Sequence, residues 1–200
     1  MKVTKVYPRG FASNAFILTA DDKTCVVIDP SQPSIVEKLA SMGLECKYVL
    51  LTHGHFDHIG GCGALYEKGA QICCGEREKE GIFGIINSAL VDIDELPPFK
   101  VERTFKDGEK FNLCGIDFTA LSTPGHTAGS TCYIADDCLF SGDTLFFESV
   151  GRTDLPTGST RELYDSVKRL YALDGDYKVC CGHEDDTTLS HERENNPYIR

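Results

Sequence analysis

The sequence lacks an apolar stretch long enough to cross a lipid bilayer, and its first residues lack the continuous apolar run of a secretory signal. It also lacks any CxxC pair among its 10 cysteines, which excludes the usual spacings of zinc ribbons and thioredoxin-like motifs. Most of the cysteines lie in apolar segments, which is typical of small buried side chains in a reducing compartment. We therefore expect a cytoplasmic protein without a disulfide framework and without a place in a membrane.

Basic stretches are absent as well. The chain has 20 lysines and arginines against 31 aspartates and glutamates, which gives a formal net charge of −11. A surface of this sign repels the phosphates of nucleic acids and of anionic lipids. We therefore expect a small-molecule substrate rather than a nucleic acid or a membrane, and the sequence leaves the oligomeric state open.

The order of apolar patterns predicts an α/β protein with a single domain over 1–200. Short strand-like segments surround two predicted helices, at 34–42 and 160–172. Each helix is followed by a strand and then by a histidine, His53 or His183. Two related halves that face each other would bring both histidines to one edge of the molecule, although their sequences do not visibly match.

Three of the 6 histidines lie within six residues, with an aspartate among them. The four residues are His53, His55, Asp57 and His58. Neither helical nor strand periodicity puts all four side chains on one face, so a loop is expected to turn them towards a common centre. Imidazole and carboxylate groups are the donors that zinc, iron and manganese prefer. A chance polar loop is the weaker alternative, because so many donors fall so close together.

Three further candidate ligands, His126, Asp143 and His183, each follow a glycine at the end of an apolar strand. Strand ends give ligands a rigid base. Five imidazoles and two carboxylates exceed the needs of one four-coordinate metal but suit two metals that share a carboxylate. Asp143 stands apart from the other candidates in sequence, so it is the natural bridge.

We therefore expect two divalent metal ions as cofactors, with zinc first and iron or manganese as the alternatives. Two metals about 3.5–4 Å apart can hold a water whose pKa falls towards about 7, and the resulting hydroxide would be the nucleophile. The expected catalytic carboxylates are Asp57 and Asp143.

The motifs that carry these residues resemble those of the metallo-β-lactamase superfamily. They are Thr52-His53-Gly54-His55-Phe56-Asp57-His58, Thr123-Pro124-Gly125-His126-Thr127, Ser141-Gly142-Asp143-Thr144-Leu145-Phe146 and Cys181-Gly182-His183. The resemblance implies a four-layered αββα sandwich with the metals at one edge of two sheets. It assigns His53, His55 and His126 to one metal and Asp57, His58 and His183 to the other, with Asp143 as the bridge. It also makes Asp29 the carboxylate that steadies the ligand loop.

Within the superfamily, the segment 151–156 and the tail at 196–199 are most similar to the glyoxalase II, or hydroxyacylglutathione hydrolase, branch. The long enzymes of that branch read Gly-Lys-x-Tyr where this chain has Gly151-Arg152-Thr153-Asp154, and they add a C-terminal helical domain. Because the sequence stops at Arg200, we expect a short subgroup without that domain. Arg152 could pair with a substrate carboxylate, or Arg152 and Asp154 could form a supporting pair behind the site.

The segment 78–99 is irregular and rich in apolar residues. It is either a wall of the substrate pocket, in which Phe83 and Ile86 would contact the substrate together with Ile85 and Phe99, or part of the core.

Taken together, the residues and the resemblance favour hydrolysis of a thioester such as an S-acyl conjugate of glutathione or of another small thiol. One alternative is a mononuclear iron persulfide dioxygenase, because His53, His126 and Asp143 alone make a two-histidine, one-carboxylate site. Leu155-Pro156 after the Gly-Arg-Thr-Asp stretch favours the hydrolase. A further alternative, suggested by the cysteines, is a metal-binding or redox-sensing protein without catalysis.

Overall fold

The computed structural model describes residues 1–10, 12–21, 23–79 and 98–199. The described strands form two six-stranded sheets and a short two-stranded ribbon. The first sheet contains, in spatial order, β1 (Lys2–Val6), β2 (Ala15–Thr19), β3 (Thr24–Ile28), β4 (Glu45–Leu51), β5 (Gln71–Gly75) and β6 (Val101–Phe105). The second contains β14 (Thr187–Thr188), β13 (Lys178–Cys181), β10 (Cys138–Gly142), β9 (Thr131–Ala135), β8 (Ile116–Ser122) and β7 (Lys110–Leu113). The ribbon pairs β11 (Leu145–Phe146) with β12 (Ser149–Val150).

Both sheets mix parallel and antiparallel pairs. In the first sheet β1 to β3 are antiparallel and β3 to β6 are parallel. In the second sheet β10 and β13 are parallel, and the other pairs are antiparallel. The central strands β3 and β4 contain continuous buried apolar runs at 25–28 and 49–51, because both faces of the sheet are covered there. Parallel neighbours end at the same edge, so the loops after β3 and β4 lie side by side, as do those after β10 and β13.

Five described helices cover the outer faces of the sheets. They are α1 (Ile35–Met42), α2 (Phe56–Ile59), α3 (Cys62–Glu67), α4 (Thr160–Tyr171) and α5 (Leu189–Asn195). Helix α4 begins with a side-chain N-cap, in which the Ser159 hydroxyl accepts from the backbone N–H of Glu162 at 3.3 Å. Its apolar stripe, Leu163, Val167 and Leu170, is buried against the second sheet.

Three apolar layers hold the fold together. One lies between the first sheet and α1 to α3, and another lies between the second sheet and α4 and α5. The central layer, between the two sheets, is rich in aromatic rings: Phe16 and Phe140 meet edge to face at 5.4 Å, and Phe105 stacks on Phe111. The predicted αββα sandwich is therefore confirmed.

Several details differ from the sequence-based expectation. The histidine-rich segment 53–58 is not all loop, because Asp57 and His58 lie on the one-turn helix α2, which is too short to show a helical period. Strands β6 and β14 and helix α5 were not predicted. Phe99 is buried in the core layer beneath the first sheet, which agrees with the core alternative for this residue rather than with the pocket wall.

The cysteines agree with the expectation of buried thiols drawn from the sequence. All ten cysteines are free thiols, and all except the half-buried Cys114 are buried. None of the helices in the described part of the chain is both long and apolar enough to cross a membrane.

The central layer yields a prediction about stability. Replacing Phe140 by alanine should lower the free energy of unfolding by about 3–5 kcal/mol, because it removes a fully buried ring and leaves a cavity between the sheets. Urea denaturation would measure the loss. Tyr198→Ala is the control, because this side chain is 62% exposed and its loss should change stability by less than about 0.5 kcal/mol. Equal effects of the two variants would contradict this account of the core.

Candidate metal centre

The seven predicted ligands meet at one edge of the two sheets. His53 lies two residues beyond β4, His183 lies two residues beyond β13, and Asp143 directly follows β10. His126 lies in the loop after β8. Gly125 and Gly142, which precede two of these ligands, have φ angles of 142° and 50°, and few other residues adopt such angles. The strand ends thus place donors from both sheets around one point.

Three histidines form one cluster. Nδ1 of His55 lies 3.0 Å from Nε2 of His53 and 2.8 Å from Nε2 of His126. All three side chains are buried. Their donor atoms are close enough together to bind a single metal ion.

A second cluster consists of Asp57, His58 and His183. Oδ2 of Asp57 lies 3.2 Å from Nε2 of His183 and 3.8 Å from Nε2 of His58. This cluster is less buried than the first, because Asp57 and His183 are half-buried. It contains a carboxylate, so it is the more acidic of the two.

Asp143 lies between the clusters. Its Oδ1 is 3.2 Å from Nε2 of His58, and its Oδ2 is 3.5 Å from Nε2 of both His126 and His183. The two oxygens therefore face donors of both clusters, which is the placement a bridging carboxylate needs.

Hydrogen bonds fix which nitrogen of each imidazole is free. His58 Nδ1 donates to Oδ2 of Asp29 at 2.9 Å, and His126 Nδ1 donates to the backbone carbonyl of Arg152 at 2.8 Å. The Thr52 hydroxyl donates to Asp29 at 2.6 Å, so it accepts from His53 Nδ1 at 3.1 Å. In this network the Nε2 atoms of His53, His58 and His126 are left with lone pairs that point into the centre.

Buried polar atoms at the centre also fit a cation. Among the described residues, Nε2 of His58 and Oδ1 of Asp143 are buried without a hydrogen-bond partner, although they are close to each other. Converging lone pairs of imidazoles and carboxylates leave buried acceptors that a divalent metal satisfies. The residues therefore fit the binding of divalent metal.

The two clusters differ in their protonation. Burial and the neighbouring His126 and His58 lower the pKa of His55 to about 4. Burial would also lower the pKa of His183, but hydrogen bonds to Asp143 and Asp57 raise it to about 9. Burial opposes ionisation of Asp143, yet His58 and His183 hold its pKa well below the ordinary value. Without metal, His53 and His55 are therefore neutral at pH 7, whereas His183 holds a proton.

Glu78 was not identified from the sequence. It lies three residues beyond β5 and is 3% exposed, and its carboxylate accepts from Gly54 N at 2.7 Å and from Thr127 Oγ1 at 2.8 Å. Burial raises its pKa to about 7, although the bonds from Thr127, Gly54 and Gly129 oppose the rise. Glu78 belongs to a run of charged residues that resembles a solvent-exposed turn. The only feature of the sequence that could have identified it is its position after β5, the strand that pairs with β4.

A cavity of about 550 Å³ opens onto the metal centre. Apolar side chains form much of its wall, and Arg152 stands at its rim. The lining residues are His55, Phe56, Asp57, His126, Asp143, Phe146, Ser149, Val150, Arg152, Leu155, His183 and Glu184. The predicted substrate contacts Phe83 and Ile86 lie outside the described residues.

Arg152 and Asp154 pair with each other. Nε of Arg152 lies 2.7 Å and Nη2 lies 2.8 Å from the two carboxylate oxygens of Asp154, and the side chains are 61% and 67% exposed. An exposed pair of this kind contributes little to stability. Arg152 is therefore in reach of solvent and of a ligand in the cavity.

Comparison with known proteins agrees with this geometry. A profile of the metallo-beta-lactamase superfamily matches residues 8–183, and the chain belongs to this superfamily. The hydroxyacylglutathione hydrolase GloC of Haemophilus influenzae is 30% identical over 208 residues, which cover 100% of this chain and 98% of GloC. The predicted resemblance to the glyoxalase II branch is thereby confirmed.

Two solved structures resemble the whole chain. BLEG-1, described as a B3 metallo-beta-lactamase, is 29% identical with a TM-score of 0.88, and 99% of each chain is covered. TTHA1623, solved in a di-iron-bound form, is 32% identical with a TM-score of 0.82, and 100% of each chain is covered. The family, GloC and the donor clusters together indicate a metal-dependent hydrolase.

The difference in protonation predicts different pH dependence for the two clusters. Metal must displace a proton from His183 below pH 9, and although burial opposes it, three neighbouring aspartates also raise the pKa of His58. Affinity at the acidic cluster should therefore fall at least about tenfold per unit as the pH drops from 8 to 6. Affinity at the histidine cluster should fall much less over this range, because burial lowers the pKa of His53 and lowers that of His55 to about 4. Chelator competition with zinc at each pH measures both dissociation constants. A parallel fall of both constants would contradict the assignment, and circular dichroism at each pH checks that the protein stays folded.

Proposed function

We propose that this protein hydrolyses thioesters formed between an acyl group and a small thiol such as glutathione, with two divalent metal ions, zinc first, in the centre. The observation that carries the proposal is the pair of donor clusters, joined by Asp143, at the floor of a cavity with apolar walls and with Arg152 at its rim. The similarity to GloC supports the same class of substrate.

Each cluster has a separate role in holding metal. His53, His55 and His126 would hold one ion, and Asp57, His58 and His183 would hold the other, with Asp143 between them. Metal ions at these positions would supply Lewis acidity and a water of lowered pKa. The protein's own contribution is orientation, because Asp29, Thr52 and the Arg152 carbonyl each hold one imidazole in the tautomer that faces the centre.

The cavity suits a ligand with a short acyl group and a longer polar carrier. Its volume of about 550 Å³ lies within the range of small-molecule sites. Phe56, Phe146, Val150 and Leu155 offer apolar contact beside the centre, and the Arg152 guanidinium at the rim can bind a carboxylate of the carrier in two parallel hydrogen bonds.

The composition of the cavity favours a thioester over a lactam. Hydrolysis of a thioester forms a C–O bond and breaks the C–S bond, and the thiolate leaves with little help from an acid. An amide nitrogen must be protonated as it leaves. Among the described lining residues, the acid besides the two candidate ligands is Glu184, which is exposed at the rim.

The second cluster also bears on the persulfide dioxygenase alternative. A mononuclear iron site of His53, His126 and Asp143 would leave Asp57, His58 and His183 without a function. These three nevertheless converge closely enough to bind a metal of their own. Their convergence supports a paired-metal hydrolase.

The proposal predicts hydrolysis of S-lactoylglutathione. Activity should disappear when a chelator removes the metal and return on addition of zinc, because the centre supplies the nucleophile. Asp143→Ala should abolish turnover and loosen both metals, since this carboxylate faces both clusters. Elemental analysis gives the number of metal ions per chain, and the loss of the thioester absorbance gives the rate of hydrolysis.

Two comparison reactions distinguish the proposed thioesterase from a β-lactamase and from a persulfide dioxygenase. A chromogenic β-lactam should be a far poorer substrate than the thioester. An absence of thioester hydrolysis by protein with one bound iron, together with oxygen consumption on glutathione persulfide, would replace the proposal with the dioxygenase.

Arg152 yields a separate prediction. If its guanidinium binds the carrier's carboxylate, Arg152→Ala should raise KM about tenfold with little change in kcat, because the contact is equally strong in the ground and transition states. Asp154→Ala is the matched control, because it removes the partner that competes for the same guanidinium and should leave KM equal or lower. A KM that is unchanged in Arg152→Ala would show that the pair is only structural.

A further inference from the structure

One buried carboxylate joins the two loops that carry the histidine cluster. Gly54, whose N–H donates to Glu78 Oε1, lies between His53 and His55. Thr127, whose hydroxyl donates to Glu78 Oε2, directly follows His126. Glu78 therefore contacts the chain beside each of the three histidines, yet none of its hydrogen bonds reaches Asp57, His58 or His183.

The fit around Glu78 is close. A Cβ on Gly129 would collide with Glu78, so glycine is needed there for the carboxylate to enter between the loops. Both carboxylate oxygens accept hydrogen bonds, and a carboxylate is the side chain best suited to accept from backbone N–H groups and a hydroxyl together. The surrounding structure thus requires an acceptor at this place.

The loops have a second connection, which does not involve Glu78. The backbone N–H of Thr131 donates to the carbonyl of Thr52 at 2.9 Å and joins the two sheets next to the centre. Replacement of Glu78 should therefore leave the fold intact while it loosens the spacing of the histidine donors.

We infer that Glu78 is a positioning residue that holds His53, His55 and His126 at metal-binding distance, and that it supports this metal position selectively over the one formed by Asp57, His58 and His183. The inference rests on the paired-metal centre proposed above. It does not depend on which substrate is hydrolysed, because its test measures zinc binding.

The test compares Glu78→Gln in two backgrounds. In the Asp57→Ala background the histidine cluster is the stronger zinc site. In the His55→Ala background the acidic cluster is the stronger zinc site. In the Asp57→Ala background, Glu78→Gln should weaken zinc binding by about 10- to 100-fold, the usual effect of losing a group that supports ligands. In the His55→Ala background it should change zinc affinity by less than about threefold, as expected for an independent site.

A buried glutamate elsewhere provides the matched control. Glu192 is 0% exposed and, like Glu78, accepts from a backbone N–H and a threonine hydroxyl, here of Glu148 and Thr187. Glu192→Ala should lower the free energy of unfolding by about as much as Glu78→Ala does, but it should leave two zinc ions per chain, whereas Glu78→Ala should retain one. Equal weakening in both backgrounds, or two tightly bound zinc ions in Glu78→Ala, would overturn the inference.

These outcomes are distinct from failure of the proposed function. Suppose that the wild-type protein binds two zinc ions, that Glu78→Ala loses one of them, and that no thioester is hydrolysed. This result would support the inference about Glu78 and contradict the proposed substrate class. A wild-type protein that binds fewer than two zinc ions would contradict both the inference about Glu78 and the proposed function.

Discussion

Asp29 directly follows β3 with a φ of 47°, and its buried carboxylate accepts three hydrogen bonds: from Thr52 N at 2.8 Å, from the Thr52 hydroxyl at 2.6 Å and from His58 Nδ1 at 2.9 Å. Through Thr52 it also sets the tautomer of His53. One carboxylate thus orients a histidine of each cluster and holds the start of the ligand loop against the neighbouring strand. The geometry of the whole centre depends on this contact, because a rotated imidazole would present N–H rather than a lone pair.

The parts of this arrangement that could be predicted are those with a strong local signal. His53, His126, Asp143 and His183 stand out because each follows an apolar strand, and strand ends meet at one edge of a sheet. Glu78 also follows an apolar strand, but it lies three residues beyond it in a run of charged residues, and its burial arises from loops distant in sequence. Helix α2 was missed for a different reason, since its four residues are too few to show a repeating apolar pattern. Long-range packing, rather than local propensity, decides the burial of Glu78.

The two halves of the chain repeat one plan, as the placement of His53 and His183 suggested. In each half a strand is followed directly by an aspartate, Asp29 or Asp143, and then by a helix, a parallel strand and a histidine two residues beyond it. The two aspartates have different roles. Asp29 accepts a hydrogen bond from the imidazole nitrogen of His58 that faces away from the centre, whereas Asp143 faces the centre itself. The aromatic layer between the sheets sets the distance between the halves, and so the spacing of the donors that each contributes.

Each candidate cluster draws on both halves, and this has a consequence for the order of events during synthesis. The histidine cluster is incomplete until His126 has left the ribosome, and the acidic cluster is incomplete until His183 has followed. For most of its translation a nascent chain can therefore offer a cation only part of either cluster. Complete coordination requires donors from both sheets, so we expect the metal-binding free energy to be added when one sheet docks on the other.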